Sequence, residues 1–311
     1  LMRDLKGAIS TGVLTEDPAL GITEIARPVG VVCAVVPSTN PGATPANNII
    51  NALKCGNAII LSPSPKGVTT SALLLDYIHA EFKRINAPAD LVQMLPSPVT
   101  KESSSELMKQ ADLVVVTGSQ ANVRAGYSSG TPALGVGAGN VCVIVDDSAD
   151  VADAAAKIIR SKIFDNATSC SSENSVVILD SVYERMLAEL GTQGGVLLTP
   201  DEKATLQQAM FPKGHLSAKV TAQSVRKICA EAGLTRAEVV NARCLLIEES
   251  GAGRDYPYSG EKLSPVLATF KWTGFDNLLK MVAAIFEVGG KGHSVGIASF
   301  DDDHIHRLAM M

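Results

Sequence analysis

Val29-Gly30-Val31-Val32-Cys33-Ala34-Val35-Val36, followed at once by Pro37-Ser38-Thr39-Asn40-Pro41-Gly42, decides how this chain folds. A near-continuous apolar run closed by a turn cluster is expected of a strand covered on both faces. Working outward, a helix should follow to about residue 53, and the next strand should cover residues 57–61. Ser62-Pro63-Ser64-Pro65 reads as a turn. Residues 69–83 have helical periodicity, with Leu73, Leu74, Tyr77, Ile78 and Phe82 as the apolar stripe. Three further short strands are expected at 91–95, 113–116 and 141–145. Repeated β-α-β units imply a parallel sheet with helices on both faces.

Beyond residue 146 a second set of elements begins. An Ala-rich helix over 151–164 leads straight into a polar loop around Cys170. A strand at 175–179, a helix at 183–190 and helices near 201–210 and 221–232 follow. The Gly-, Ser- and charge-rich segment 249–260 reads as an exposed loop. The expected organisation is α/β with two domains, 1–145 and 146–311.

Composition narrows the function. Of 311 residues, 46% are hydrophobic and only 4% aromatic, which suits aliphatic strands and Ala-rich helices. A net charge of −5 without a basic block argues against a nucleic-acid surface. No apolar stretch reaches the ~18 residues of a membrane span, and Leu1-Met2-Arg3-Asp4-Leu5-Lys6 is not a secretory signal. The six cysteines are scattered without a Cys-x-x-Cys pair, and the five histidines show no metal-ligand spacing with them. Neither a disulfide framework nor a metal site is expected, and a reducing cytoplasm is. Both ends read as cut, since the chain starts without a natural methionine and stops within a helical pattern.

The chemistry-bearing candidates lie in loops. Cys170 sits in Phe164-Asp165-Asn166-Ala167-Thr168-Ser169-Cys170-Ser171-Ser172-Glu173-Asn174-Ser175. A core thiol would have apolar neighbours; this polar turn leaves the sulfur reachable and offers backbone N–H groups to a thiolate or an oxyanion. The run alone leaves nucleophile and bystander both open. Asn40, just past a strand, is either an amide donor to an oxyanion or a turn residue capping the next helix. Thr117-Gly118-Ser119 offers N–H groups and a hydroxyl to a phosphate or nicotinamide, or is an ordinary βα turn. Gly135-Val136-Gly137-Ala138-Gly139 precedes a strand rather than a helix, so the dinucleotide fingerprint is missing. Its glycines read as room for a ligand, or as a plain loop. His293, in Gly289-Gly290-Lys291-Gly292-His293-Ser294, is an acid–base candidate or a surface residue. Glu261 is a ribose ligand or a solvated carboxylate.

Taken in order, these pieces resemble the aldehyde dehydrogenase superfamily. The match includes Ile25-Ala26-Arg27-Pro28-Val29-Gly30-Val31, Pro37-Ser38-Thr39-Asn40-Pro41, Lys54-Cys55-Gly56-Asn57-Ala58 and Lys162-Ile163-Phe164-Asp165-Asn166. It continues through Ser172-Glu173-Asn174-Ser175, Glu261-Lys262-Leu263-Ser264-Pro265 and the His293 loop. More narrowly the chain resembles the CoA-acylating branch, the acetaldehyde/propionaldehyde dehydrogenases that also form half of bifunctional aldehyde–alcohol dehydrogenases. The resemblance implies a Rossmann-type parallel-sheet domain that binds NAD or NADP, followed by an α/β catalytic domain, in a cytoplasmic homo-oligomer. Cys170 would be the nucleophile, with Asn40 and the Cys170 N–H at the oxyanion and His293 assisting a thiol. Pro37, Ser38, Ser62, Pro63, Thr117, Gly118, Ser119, Gly135, Val136, Gly137 and Glu261 would contact the cofactor.

Departures from the family pattern sharpen the expectation. Where hydrolytic members carry the Glu that activates water, this chain has Ala133. Loss of a general base typically costs a factor of about 10² to 10⁴, whereas a thiol is a good nucleophile at neutral pH; coenzyme A is therefore the expected acyl acceptor. Ser62-Pro63-Ser64-Pro65 replaces the Lys and Glu that grip the adenosine ribose, which leaves NAD and NADP both open. The polar helix start Pro41-Gly42-Ala43-Thr44-Pro45-Ala46-Asn47-Asn48 keeps sulfoacetaldehyde beside acetaldehyde as a substrate. A hydrolytic dehydrogenase and an inactive structural homologue are the remaining alternatives. The family's opening helix and first strands would precede Leu1, and its last strand would follow Met311.

Overall fold

The apolar run at 29–36 is the central strand of a parallel sheet in the computed structural model, which describes residues 2–311. Two units divide after Gly137. Strands of the first are β1 (Gly12–Asp17), β2 (Ile22–Ala26), β3 (Val31–Val36), β4 (Ala58–Pro63), β5 (Val92–Met94), β6 (Leu113–Thr117) and β7 (Ala133–Val136). Those of the second are β8 (Val141–Val145), β9 (Glu173–Leu179), β10 (Gly195–Leu197), β11 (Cys244–Glu249), β12 (Val266–Trp272) and β13 (Val295–Ala298).

In the first unit β3 to β7 form an all-parallel sheet in the order β5-β4-β3-β6-β7. The two-residue period of β3 explains its double coverage. Val32, Ala34 and Val36 share one apolar cluster with Ile49 and Ala52, while Cys33 and Val35 share another with Met108 and Val114. Each fully buried aliphatic side chain contributes about 1.5–3 kcal/mol. Helix Val68–Arg84 packs through Leu74, Leu75, Ile78 and Phe82, with Leu73 and Tyr77 exposed. The buried stripe is thus rotated from the one expected, because Leu75 replaces Leu73 and Tyr77 against the sheet. Ahead of this sheet, β1 and β2 form an antiparallel hairpin that the sequence reading missed. Its Val13, Leu14, Ile22 and Ile25 are exposed.

The second unit holds a six-stranded parallel sheet ordered β10-β11-β12-β9-β8-β13. Residues 141–145, expected in the first domain, pair with β9 and β13 in the second sheet, so the division falls at Gly137/Ala138 rather than near 146. Helix Val151–Ile163 buries Val151, Ala154, Ala155, Ile158, Ile159 and Lys162, one face at helical spacing. That anchoring fixes the point from which the Cys170 loop departs. The segment expected as an exposed loop at 249–260 is only partly so: Arg254, Asp255 and Tyr256 are exposed, but Tyr258 and Ser259 are fully buried. Among the described residues no helix is long and apolar enough to cross a membrane.

Candidate active site

Every first-unit candidate lies at the carboxyl end of a parallel strand. Pro37, Ser38 and Asn40 follow β3, Ser62 and Pro63 close β4, Thr117 closes β6 with Gly118 and Ser119 behind it, and Gly135 to Gly137 end β7. From β3 the chain builds toward β4 and β5, then returns to the other side at β6. Strand order therefore reverses between β3 and β6, where an open α/β sheet leaves a crevice for ligands.

Most of these side chains already serve the fold. Ser62 is 2% exposed and its hydroxyl bonds that of Ser104 at 2.8 Å. Ser119 caps helix Gln120–Tyr127 by accepting the Asn122 N–H at 3.3 Å. A Cβ on Gly135 would strike Val123 and Tyr127, so that glycine makes room for its own helix rather than for a ligand. Asn40 Oδ1 accepts the Ala43 N–H at 3.1 Å, which is the turn-capping option. Ala133 packs against the Cys33 cluster.

In the second unit the Cys170 loop is under strain. Asp165, Asn166 and Ala167 adopt φ of 48°, 50° and 57°, a left-handed conformation costing about 1–2 kcal/mol per non-glycine residue. Local bonds offset this. Thr168 Oγ1 donates to the Asp165 carbonyl at 2.7 Å, Asn166 Nδ2 to the Ala222 carbonyl at 3.3 Å, and the Ser172 N–H to the Ser169 carbonyl at 3.0 Å. Strain of this kind gathers at functional sites.

Gly139 lies beneath that loop. Any Cβ there would collide with the Cys170 carbonyl and sit 3.3 Å from the Cys170 Cβ, so only glycine permits the approach. Next to it, buried Asn140 donates through Nδ2 to the Ser259 carbonyl at 2.8 Å and the Ile285 carbonyl at 3.2 Å. A Cβ on Gly290 would in turn strike the Asn140 backbone, which brings the His293 loop against the same segment. His293 Nδ1 is 3.0 Å from Ser294 Oγ. Asn174 Oδ1 accepts the Lys262 N–H at 3.0 Å, tying the Cys170 loop to Glu261-Lys262. The structure therefore brings Cys170 and the Gly290 end of the His293 loop against one short segment, 139–140.

Electrostatics set the protonation states. Burial first, and then the negative charge of Glu261, push the Cys170 thiol above its ordinary value, while its own backbone amide acts weakly the other way. The polar loop was expected to favour a thiolate; the structure instead keeps a thiol at neutral pH. Burial also raises Glu261 to about 7, opposed by the Gly139 N–H and by Lys162 and Lys262. Lys162, fully buried and without a hydrogen-bond partner at Nζ, is lowered to about 8 by burial. Lys262, equally buried, is driven far down by burial and by Lys162, and donates to the Tyr258 and Gly260 carbonyls at 2.5 and 2.8 Å. The sequence reading gave no role of their own to Asn140, Lys162 and Lys262, and took Gly139 as a loop glycine leaving room for a ligand. Lys162 carried a signal: it falls on the apolar stripe of its helix, four residues after Ile158.

Glu261 also lines a cavity of about 1050 Å³ within the second unit, together with Gln207, Lys213, His215 and Arg254. A second cluster lies apart from it. Asp146, Asp147 and His304 come within 4.8 Å of one another. Asp146 is spent on Ser148 at 2.7 Å, on Ser299 and on His304 Nδ1 at 2.8 Å, and so pins helix Asp302–Ala309 to the end of β8.

The protein is thus α/β, with a switch-point crevice in the parallel sheet of its first unit and a strained loop carrying Cys170 in its second. The profile of the Aldehyde dehydrogenase family matches residues 3–240, and the chain belongs to that family. It is 59% identical over 308 residues to a sulfoacetaldehyde dehydrogenase (acylating) of Cupriavidus necator, across 99% of this chain and 62% of that protein. It superimposes on an acetylating aldehyde dehydrogenase from Geobacillus thermoglucosidasius with a TM-score of 0.92 and 35% identity, covering 99% of this chain and 68% of that one. A Rhodopseudomonas palustris propionaldehyde dehydrogenase with bound propionyl-CoA gives 0.85 and 25% identity over 98% and 67%. The chain thus spans less than two thirds of the length of the Cupriavidus relative.

Proposed function

We propose that this chain carries the cofactor-binding and cysteine-bearing parts of a CoA-acylating aldehyde dehydrogenase, acting on sulfoacetaldehyde with NAD(P)+ as oxidant. The observation that carries the reading is Cys170, held on a strained loop over Gly139, in a chain with Ala133 where a hydrolytic enzyme needs a carboxylate. The Cupriavidus relative supports the choice of aldehyde, and the propionyl-CoA complex of the Rhodopseudomonas enzyme supports CoA.

The residues present fit such co-substrates. The switch-point crevice of the first sheet suits a dinucleotide, and the cavity lined by Glu261 offers the cations Lys213 and Arg254 to an anionic ligand. Bound NAD(P)+ would supply the hydride acceptor and CoA the thiol that takes the acyl group. Cys170 Sγ attacks the aldehyde carbon, and after oxidation holds the acyl group as a thioester. Its backbone N–H and the Asn40 amide are assigned to the oxyanion on the family resemblance, at about 3 kcal/mol per donor. His293 is assigned to the incoming thiol. With Ala133 in place, the thioester lacks a base for water and survives until a thiol arrives.

In this reading the first unit, residues 1–137, serves the cofactor and the second, 138–311, the acyl chemistry. We further place the enzyme in the cytoplasm as a homo-oligomer. Six free cysteines support the compartment. The exposed apolar residues of the β1–β2 hairpin support association, since a lone two-stranded hairpin is marginally stable in water. NAD(P)H formation from sulfoacetaldehyde or acetaldehyde, with and without CoA, tests the proposal. A signal that needs CoA, favours sulfoacetaldehyde and vanishes in Cys170→Ala is expected. Carboxylate production without CoA would sink it in favour of hydrolysis.

A further inference from the structure

We propose that Asn140 is a positioning residue: its side chain fixes the loop that carries His293, and transfer of the acyl group to a thiol depends on it. The inference deepens the function proposed above and rests on it. Asn140 stands at the entry to β8, 1% exposed, between two loops. On the nucleophile's side, Val141 pairs with Glu173 at the start of β9, and the ladder shifts register just there. Gly139 meets the Cys170 carbonyl closely enough to exclude any side chain. The seat of Cys170 is therefore made by backbone.

On the other side the Asn140 amide does the holding. Nδ2 donates to the Ser259 carbonyl at 2.8 Å and to the Ile285 carbonyl at 3.2 Å. Ile285 lies in the last turn of helix Phe275–Val288, among the four carbonyls that have no partner within a helix. Asn140 thus caps that helix from outside, where the chain leaves for His293. Two residues past the helix, Gly290 takes a φ of 81°, and a Cβ there would lie 2.7 Å from the Asn140 Cβ. The Gly290 carbonyl accepts the His293 N–H at 2.9 Å, closing a single turn. From Asn140 to His293 the path is therefore one cap, one close packing contact and one turn. Stability alone does not account for the residue, because its Oδ1 is buried without a partner, and an unmade buried hydrogen bond is a cost.

The consequence falls on one half of the reaction. Acylation needs the Cys170 loop, which Gly139 seats through its backbone. Acyl transfer needs in addition the His293 imidazole, assigned above to the incoming thiol. There His293 takes the thiol proton, and the new C–S bond forms as the bond to Cys170 breaks. The proton then passes to the departing Cys170 thiolate, so none is left over. Removing the Asn140 amide frees the His293 loop and leaves the nucleophile in place.

The two halves can be timed apart, because a thioester that lacks a base for water persists until a thiol is added. The burst of NAD(P)H without CoA reports acylation, and release of acyl-CoA after CoA is mixed with the acyl-enzyme reports transfer. Asn140→Ala is expected to slow transfer about 10²-fold, the effect of about an ångström of misplacement, and to keep the burst within about threefold. Combined with His293→Ala, it should slow transfer less than about threefold further, since residues that act through one group are not additive. Hydrogen exchange, which needs no substrate, should quicken about tenfold or more across residues 286–293 and stay unchanged in β9. Thermal midpoints establish that the variants compared are folded, and the milder Asn140→Ser takes the place of an alanine variant that is not. Burst and transfer falling together, or losses that multiply in the double variant, would reduce Asn140 to a structural helix cap and overturn the inference. So would exchange at 286–293 that ignores the substitution. Absence of a burst from the wild type would instead sink the dehydrogenase reading, while the exchange comparison would still decide whether Asn140 holds the loop.

Discussion

The two units treat their polar groups in opposite ways. In the first, candidate side chains are spent on structure: Ser62 on Ser104, Ser119 on a helix cap, Gly135 on room for Tyr127. What remains for a ligand is largely backbone at the carboxyl edge of a parallel sheet. In the second, polar atoms are buried with nothing to bond. Apart from Asn48, the unpartnered buried atoms found among the described residues belong to Asn140, Lys162, Ser172, Glu173, Ser175 and Ser264. Most of these flank the Cys170 loop in sequence. An unmade buried hydrogen bond costs about 1–3 kcal/mol, so this region holds a reserve of unsatisfied polarity that the first unit lacks. Recognition of a flat, repeated cofactor can be built from sheet edge and shape. Moving a proton and stabilising a transient charge needs groups whose environment displaces them from their ordinary state.

Gly139→Ala should break the second unit's arrangement most sharply. The new methyl overlaps the Cys170 carbonyl, which is backbone and cannot swing aside. Displacing the nucleophile by about an ångström costs on the order of 10²-fold in rate, and overpacking of this kind costs about 1–3 kcal/mol in stability. Turnover with CoA and the thermal midpoint measured on the same sample would show both. A variant with normal turnover would mean that the loop tolerates movement and that its strain serves nothing catalytic.

A smaller effect follows from Lys162. Burial holds it at about 8 in the folded chain, below the ordinary lysine value of 10.5. Below about pH 8 the lysine is charged in both folded and unfolded chains, and the fold bears the full burial cost. As pH rises toward 10.5 the unfolded chain loses its proton too, and the cost disappears. Lys162 therefore contributes a gain in stability across that window, up to about 3 kcal/mol. Urea titrations of the wild type and Lys162→Met at several pH values should show the wild type gaining on the variant between those limits. A difference independent of pH would mean that the ammonium has found a partner and that the polarity reserve is smaller than drawn.

How much of this was legible follows from the kind of signal each feature leaves. β3 declared itself because a strand covered on both faces must be apolar throughout, and its closing turn cluster marked where ligands bind. Cys170 stood out because its neighbours are polar. The β1–β2 hairpin was missed because both its faces are exposed, so Gly12–Asp17 shows no alternation to read. Residues 141–145 form a strand as expected, yet sequence does not say which sheet a strand joins; only pairing with β9 and β13 does. Gly139 looked like a loop glycine, because the carbonyl it must accommodate is distant in sequence. Glu261 looked like a ribose ligand on resemblance, and the burial that raises it to about 7 is made only by the tertiary structure. Ordered motifs therefore identified the chemistry, while protonation states came only with the tertiary structure.

Ser62→Ala is the mildest test, and it addresses the first unit. If that unit binds through backbone and shape, removing this hydroxyl should cost only its bond to Ser104, about 1 kcal/mol of stability. The KM for NAD+ and for NADP+ should each stay within about twofold, since a group 2% exposed and already bonded has nothing to offer a ribose or a 2′-phosphate. A rise of about fivefold or more for one cofactor alone would show that the Ser62–Ser104 pair opens on binding and that a side chain of the first unit reads the adenosine end. The contrast between the units would then be one of the unliganded state, with the first unit keeping its polar groups occupied until the cofactor displaces the internal partner.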